Sequence, residues 1–148
     1  MAGKALWSFR PIAIAIMATA MGLGLIAVFA VIWFRFSDAT RETFSLFQRL
    51  TLLGFFAVIL WLLYRMATVR VTAYDEGLAV RNVFRSYRLT WTDVQGMRFS
   101  PGDPWLQLFD AGGNRLGVLA VQASEGARAS RAAKELAAVA RSHGSGRA

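Results

Sequence analysis

The sequence predicts a two-span transmembrane α-hairpin followed by a small antiparallel β barrel or sandwich, capped by a C-terminal α-helix. Three observations lead there. Two uncharged runs, Pro11 to Phe34 and Leu50 to Tyr64, stand close together in the first half of the chain. From Val69 the apolar period shortens to two residues, the signature of half-buried strands. After Ser124 a helical period returns, with alanines on one side and charges on the other. On this division residues 1–66 form the hairpin, with spans at about 11–34 and 43–66. Residues 67–142 form the β domain and its helix, and 143–148 a flexible tail.

Pro11 to Phe34 has the length of a membrane span, and Lys4 and Arg10 precede it. A secretory signal has a shorter apolar region, about 7–15 residues, so the run reads as a span. Ala18, Ala20, Gly22 and Gly24 form two overlapping small-xxx-small pairs, candidate helix-packing positions. Packing against the second span is the plainer use of them, association with another chain the alternative. Arg35 to Ala39 makes a short connection in which Ser37 or Asp38 can cap the next helix. Leu50 to Tyr64 alone gives about 22 Å of helix, short of a hydrocarbon core of about 30 Å. Extension back to about Thr40 supplies the rest if Arg49 runs its stem toward the headgroups, with Arg65 at the other interface.

Two closely joined spans leave both ends of the hairpin on one side of the membrane. Arg35, Arg41 and Arg49 flank the connector, while Lys4, Arg10, Arg65 and Arg70 flank the other ends. That margin, with the terminal amine, favours cytoplasmic termini. The chain has no cysteine, which suits a reducing compartment.

Val69, Val71 and Ala73 alternate with polar residues as a first strand, and Asp75-Glu76-Gly77 turns into a second with Leu78, Val80, Asn82 and Phe84 on one side. With Arg85-Ser86 as a tight turn and Phe84 opposite Tyr87, residues Leu78, Val80, Leu89 and Trp91 share an inner face. Arg81, Val83, Arg88 and Thr90 then share an outer one. Thr92-Asp93-Val94 interrupts the pattern as a helical turn or bulge. A strand over Gly96 to Ser100, the loop Pro101-Gly102-Asp103-Pro104, and a hairpin over Trp105 to Val121 complete six strands. Ala129, Ala132 or Ala133, Leu136, Val139 and Ala140 then recur at helical spacing up to Gly144.

The 148 residues carry 17 Lys and Arg against 9 Asp and Glu, a net charge of +8. For a chain held at a membrane, such a balance points to the anionic leaflet rather than to nucleic acid. Arg65, Arg70, Arg81 and Arg88 are the candidates for a membrane-proximal basic face, and an ordinary solvated face is the competing reading. Trp105 reads either as an interfacial anchor or, preferably, as a residue packed beside the Pro-Gly-Asp-Pro loop. His143 is the single histidine and there is no thiol, so zinc chemistry and histidine catalysis have little to work with. The carboxylates Asp75, Glu76, Asp93, Asp103 and Asp110 are scattered over turns, where they ordinarily serve backbone geometry. Asp110-Ala111-Gly112-Gly113-Asn114 lacks the lysine and the following helix of a phosphate-binding loop. No catalytic residue, metal site or cofactor is expected, and no enzymatic activity.

Val71-Thr72-Ala73-Tyr74-Asp75-Glu76-Gly77-Leu78-Ala79-Val80, followed by Leu89-Thr90-Trp91-Thr92-Asp93-Val94-Gln95-Gly96, resembles the bacterial pleckstrin-homology (PH) domains of actinobacterial membrane proteins. The likeness is to the low-molecular-weight protein antigen 6 type, covering about residues 69–142 in motif and the whole chain in layout. It implies a seven-stranded, bent PH-like barrel capped by the C-terminal helix, in a multi-pass protein of the bacterial plasma membrane. It implies no known activity. Phosphoinositide-binding relatives concentrate Lys and Arg at the first hairpin, where this chain has Asp75-Glu76-Gly77, so no lipid-ligand residue carries over. The function expected is a scaffolding or protein-interaction module, an accessory subunit or assembly factor of a larger membrane complex. The alternative is a sensor of anionic lipids, bound non-specifically through the basic face.

Overall fold

A computed structural model describes residues 3–144. The predicted tail therefore lies outside the described residues from 145 onward. The chain divides into two units, Ile14–Ala67 and a second made of Met1–Ala13 with Thr68–Ala148.

The first unit is helical. Helix α1 spans Ile12–Arg35, α2 Asp38–Thr43 and α3 Leu46–Ala67. At 24 and 22 residues, α1 and α3 are about 36 and 33 Å long, enough to cross a hydrocarbon core. Both are apolar on all sides and almost wholly unburied within the protein, and by length and composition both are candidate membrane spans. The second span does not run unbroken from Thr40. Ser45 and Gln48 form a capping box, Gln48 N–H donating to Ser45 Oγ (3.3 Å) and Ser45 N–H to Gln48 Oε1 (2.9 Å). This reciprocal pair satisfies donors that a helix start leaves open, so a new helix begins there. Ser37 caps α2 by accepting from Thr40 N–H at 3.2 Å. Arg41 donates to the carbonyls of Trp33 and Phe34, at 3.2 Å each, closing the last turn of α1.

The second unit holds seven strands: β1 Ala5–Phe9, β2 Arg70–Tyr74, β3 Gly77–Arg81, β4 Ser86–Thr90, β5 Val94–Arg98, β6 Trp105–Asp110 and β7 Arg115–Gln122. They form two antiparallel sheets, β1-β2-β3-β4 and β5-β6-β7, without a closed barrel. A 3₁₀ turn, Ala123–Glu125, leads into α4, Ala127–Ser142.

Strand β1 is not among the six strands expected. Residues 1–10 fall in the 1–66 segment assigned to the hairpin, yet Trp7, Ser8 and Phe9 pair with Ala73, Thr72 and Val71. The hairpin is thus an insertion between two hydrogen-bonded strands of one sheet. Trp7 and Phe9 pack against the core, and Trp7 Nε1 donates to Glu135 Oε2 of α4 at 2.9 Å.

The register of the β3–β4 hairpin also differs from expectation. Arg81 faces Ser86 and Val80 faces Tyr87, so the connection is the four-residue loop Asn82–Arg85, not a tight Arg85-Ser86 turn. The shift from the expected pairing is an even number of residues, and a strand has period two. Leu78, Val80, Leu89 and Trp91 therefore keep the inner face.

Between the sheets lie Val71, Ala73, Leu78 and Val80 from one, and Leu106, Leu108, Val118 and Ala120 from the other. Ala129, Ala132, Leu136 and Ala140 of α4 complete the core. Small alanines let the helix approach the sheets closely while Leu136 fills the space. His143 is not a loose tail residue. It caps α4, and its ring stacks on buried Trp91 at 5.4 Å.

Candidate functional site

The antiparallel register puts Arg70 directly opposite Arg81, and Arg88 opposite Ala79 on the neighbouring pair. Cross-strand partners share a face, so these three arginines lie on the outer face of the four-stranded sheet, with Ser8 and Thr72. Like charges opposite one another cost a few tenths of a kcal/mol up to about 1, and among the described residues no carboxylate forms a salt bridge with them. Arg65 stands in the last turn of α3.

One end of this sheet is pinned by Asn82, which the alternation alone marks only as a strand position. Asn82 is 9% exposed and its backbone N–H donates to Arg85 O at 2.9 Å, closing the loop. Its side chain crosses to the second sheet: Nδ2 donates to Gly117 O at 2.7 Å, and Oδ1 accepts from Leu119 N–H at 3.1 Å. The amide does for β7 what another strand would do. The result is a braced loop whose tip exposes Phe84 (74%) and Arg85. The signal available beforehand was an asparagine at an inward position just before a turn.

The turn carboxylates are engaged locally. Asp93 accepts from Thr90 Oγ1 (2.7 Å) and N–H (3.0 Å), which hold its carboxyl below the usual range. Asp103 is lowered first by the Arg98 guanidinium, at 3.2 and 3.3 Å, and then by Ser100 N–H at 2.9 Å; Arg98 is raised in turn. Asp110 is lowered by Asn114, whose side-chain Nδ2 and backbone N–H both donate to it. Stabilised anions of this kind brace turns and are poor proton donors. Among the described residues no three His, Cys, Asp or Glu side chains are grouped to hold a metal.

Trp105 lies over Gly117. A Cβ there would stand 2.5 Å from its Nε1, so glycine is what lets the indole rest on β7. In the hairpin the small residues point in different directions. Ala18 is buried, and a Cβ on Gly22 would meet Leu60 and Leu63 of α3 at 3.9 and 3.8 Å. Ala20 is exposed and Gly24 has nothing within 4 Å.

Where the chain leaves β1, Glu125 reaches back to it. Its side chain, 3% exposed, accepts from Ala13 N–H at 3.0 Å and from Arg128 Nη1 at 2.5 Å. Arg128 also lies over the Phe9 ring, 5.4 Å from its centroid. A carboxylate at the start of α1 satisfies one of its free N–H groups and complements the helix dipole.

Residues 68–138 match the family described as Bacterial PH domain. No curated protein and no solved structure matches the chain. The match begins after the hairpin, so it covers β2 to most of α4 and leaves out β1. PH domains are typically non-catalytic interaction modules that bind proteins or lipids.

Proposed function

We propose that this is a non-enzymatic, two-span protein of the bacterial plasma membrane, with both termini cytoplasmic. On this reading it offers its PH-like domain to a protein partner as a scaffolding element, an accessory subunit or assembly factor of a larger membrane complex. The observation that carries the reading is the insertion of the apolar hairpin between paired strands β1 and β2. A domain hung on one linker must give up orientational freedom when it docks, a cost of several kcal/mol. This domain is joined to the hairpin by two chain segments rather than one, which lowers that cost. The exposed Phe84 on its braced loop and the open side of α1 at Ala20 and Gly24 supply contact surface for such a partner.

Alkaline washing of membranes tests the first half: a chain released into the wash is not a two-span protein. Mild-detergent extraction and native electrophoresis test the second, where a species well above monomer mass is expected. A clean monomer with nothing copurifying refutes the scaffolding role. Protease access to the Pro101–Pro104 loop from outside sealed cells would overturn the orientation.

The Arg70–Arg81 juxtaposition, without a salt bridge among the described residues, favours a second reading, non-specific attraction of the domain to anionic lipid. The full chain reconstituted into vesicles of graded phosphatidylglycerol content should then show lipid-dependent amide protection over residues 70–90. Equal protection in Arg70→Glu, Arg81→Glu protein would dismiss that role.

A further inference from the structure

The hairpin contains an arginine that forms no salt bridge among the described residues. Arg49 stands one turn into α3, half-buried beside a cavity of about 240 Å³ walled by Phe29, Trp33, Leu52 and Leu53. Among the described residues its guanidinium makes one hydrogen bond, Nη2 to the Arg41 carbonyl at 2.6 Å, and no salt bridge. Nε is buried with no partner. The neighbouring carboxylate Asp38 is engaged by Arg41. A cation in apolar surroundings without a counter-ion is costly, and an arginine in a membrane segment pairs with an anion or with backbone carbonyls or marks a site; here one carbonyl is engaged and Nε is left over. On its other side, Leu52 also borders a groove of about 390 Å³ lined by Phe44, Phe47 and Phe55 and open along α3.

We propose that Arg49 and these apolar walls form a binding site for one anionic phospholipid. Its phosphodiester meets the guanidinium fork and an acyl chain lies along the Leu52 walls. The proposal rests on the reading of α1 and α3 as membrane spans. Three features select this occupant. The guanidinium matches a phosphate's paired oxygens. The site lies near the connector end of a span, at the depth where headgroups are found. The walls run on into the exposed apolar surface of α3 at Phe47, Leu50 and Leu53. A zwitterionic lipid fits less well because its own ammonium already balances the phosphate.

The test uses the full chain purified in mild detergent and native mass spectrometry with three probes: phosphatidylglycerol, phosphatidylcholine with the same chains, and glycerol phosphate. Wild-type protein should retain one phosphatidylglycerol with about tenfold preference over phosphatidylcholine, and should bind glycerol phosphate far more weakly, as expected when charge-assisted and apolar contacts act together. Arg49→Gln should lower phosphatidylglycerol affinity about tenfold or more, Arg49→Lys less, and Arg70→Gln not at all. Should Arg49→Gln fail to fold, Leu53→Trp fills the cavity while keeping the charge, and the same loss is expected. Equal retention of the two lipids, or unchanged retention in Arg49→Gln or in Leu53→Trp, overturns the site. Equal loss in Arg70→Gln assigns the effect to general charge and overturns it too. Alkaline washing separates the premise: release from membranes refutes the spans, whereas a chain that stays embedded and binds both lipids alike refutes the lipid site alone.

Discussion

Replacing Asn82 by alanine should damage the domain more than any exposed polar substitution, because of what it leaves behind. The amide satisfies two groups of β7, Gly117 C=O and Leu119 N–H, from a position 9% exposed. A buried polar group deprived of its partner costs about 1–3 kcal/mol, and here there are two. Water entering at the sheet edge would recover part of this, so about 3 kcal/mol is expected. For a unit of this size each kcal/mol lowers the melting midpoint by about 4–8 °C, giving a fall of about 12 °C or more. The assay is thermal unfolding of the full chain in detergent, followed by tryptophan fluorescence, with amide exchange at Leu119 as the local readout. Asn82→Asp keeps the acceptor but turns an anion toward the Gly117 carbonyl, so it should be destabilised at neutral pH and partly recover in acid, where the protonated carboxyl donates. A loss below about 1 kcal/mol in Asn82→Ala, with Leu119 still protected, would refute the idea that this amide replaces a strand.

Three further outcomes are expected. Gly77→Ala would put a Cβ 2.0 Å from the Leu89 carbonyl oxygen, at a φ of +154°; a loss of about 3 kcal/mol or more in chemical denaturation is expected, and a near-neutral result would mean the hairpin register is different. Trp7→Ala should cost about 2 kcal/mol by the same assay, since Trp7 packs on the core and binds Glu135; an unchanged midpoint would mean β1 does not belong to the sheet. Asp103 has its folded-state pKa lowered, so its contribution is complete above the unfolded value near 3.9 and is lost as pH falls through the folded value. Wild type should therefore exceed Asp103→Asn in stability at pH 7 and converge with it in acid, and an equal gap at both would contradict the assignment.

Much of the layout was legible because it is local. Unbroken apolar runs, alternation from Val69 onward and the alanine stripe of α4 report on neighbours within a turn or a strand, which is where periodicity carries information. The Asp75-Glu76-Gly77 turn was readable for the same reason. Leu78, Val80, Leu89 and Trp91 keep the inner face of the β3–β4 hairpin because an even register shift does not exchange faces, whereas Phe84, expected beside them, is exposed in the loop, and Val83, expected outside, packs against the core. Trp105 is half exposed but rests on Gly117, a partner whose identity no spacing rule supplies.

Two apolar helices, a run of short strands beginning near Val69, a C-terminal amphipathic helix and the basic balance of the chain follow from local pattern and composition. That Ala5–Phe9 is a strand, that the hairpin interrupts a sheet, and that Asn82 joins the two sheets follow from contacts between distant segments. Ser8 and the Val71 carbonyl it meets are 63 residues apart, and Asn82 and Gly117 are 35 apart. Five residues of mixed character have no stable fold alone; their pairing becomes favourable only when the chain beyond the hairpin offers an open strand edge and a core for Trp7 and Phe9 to cover. That is non-local information, which no periodicity along the chain carries.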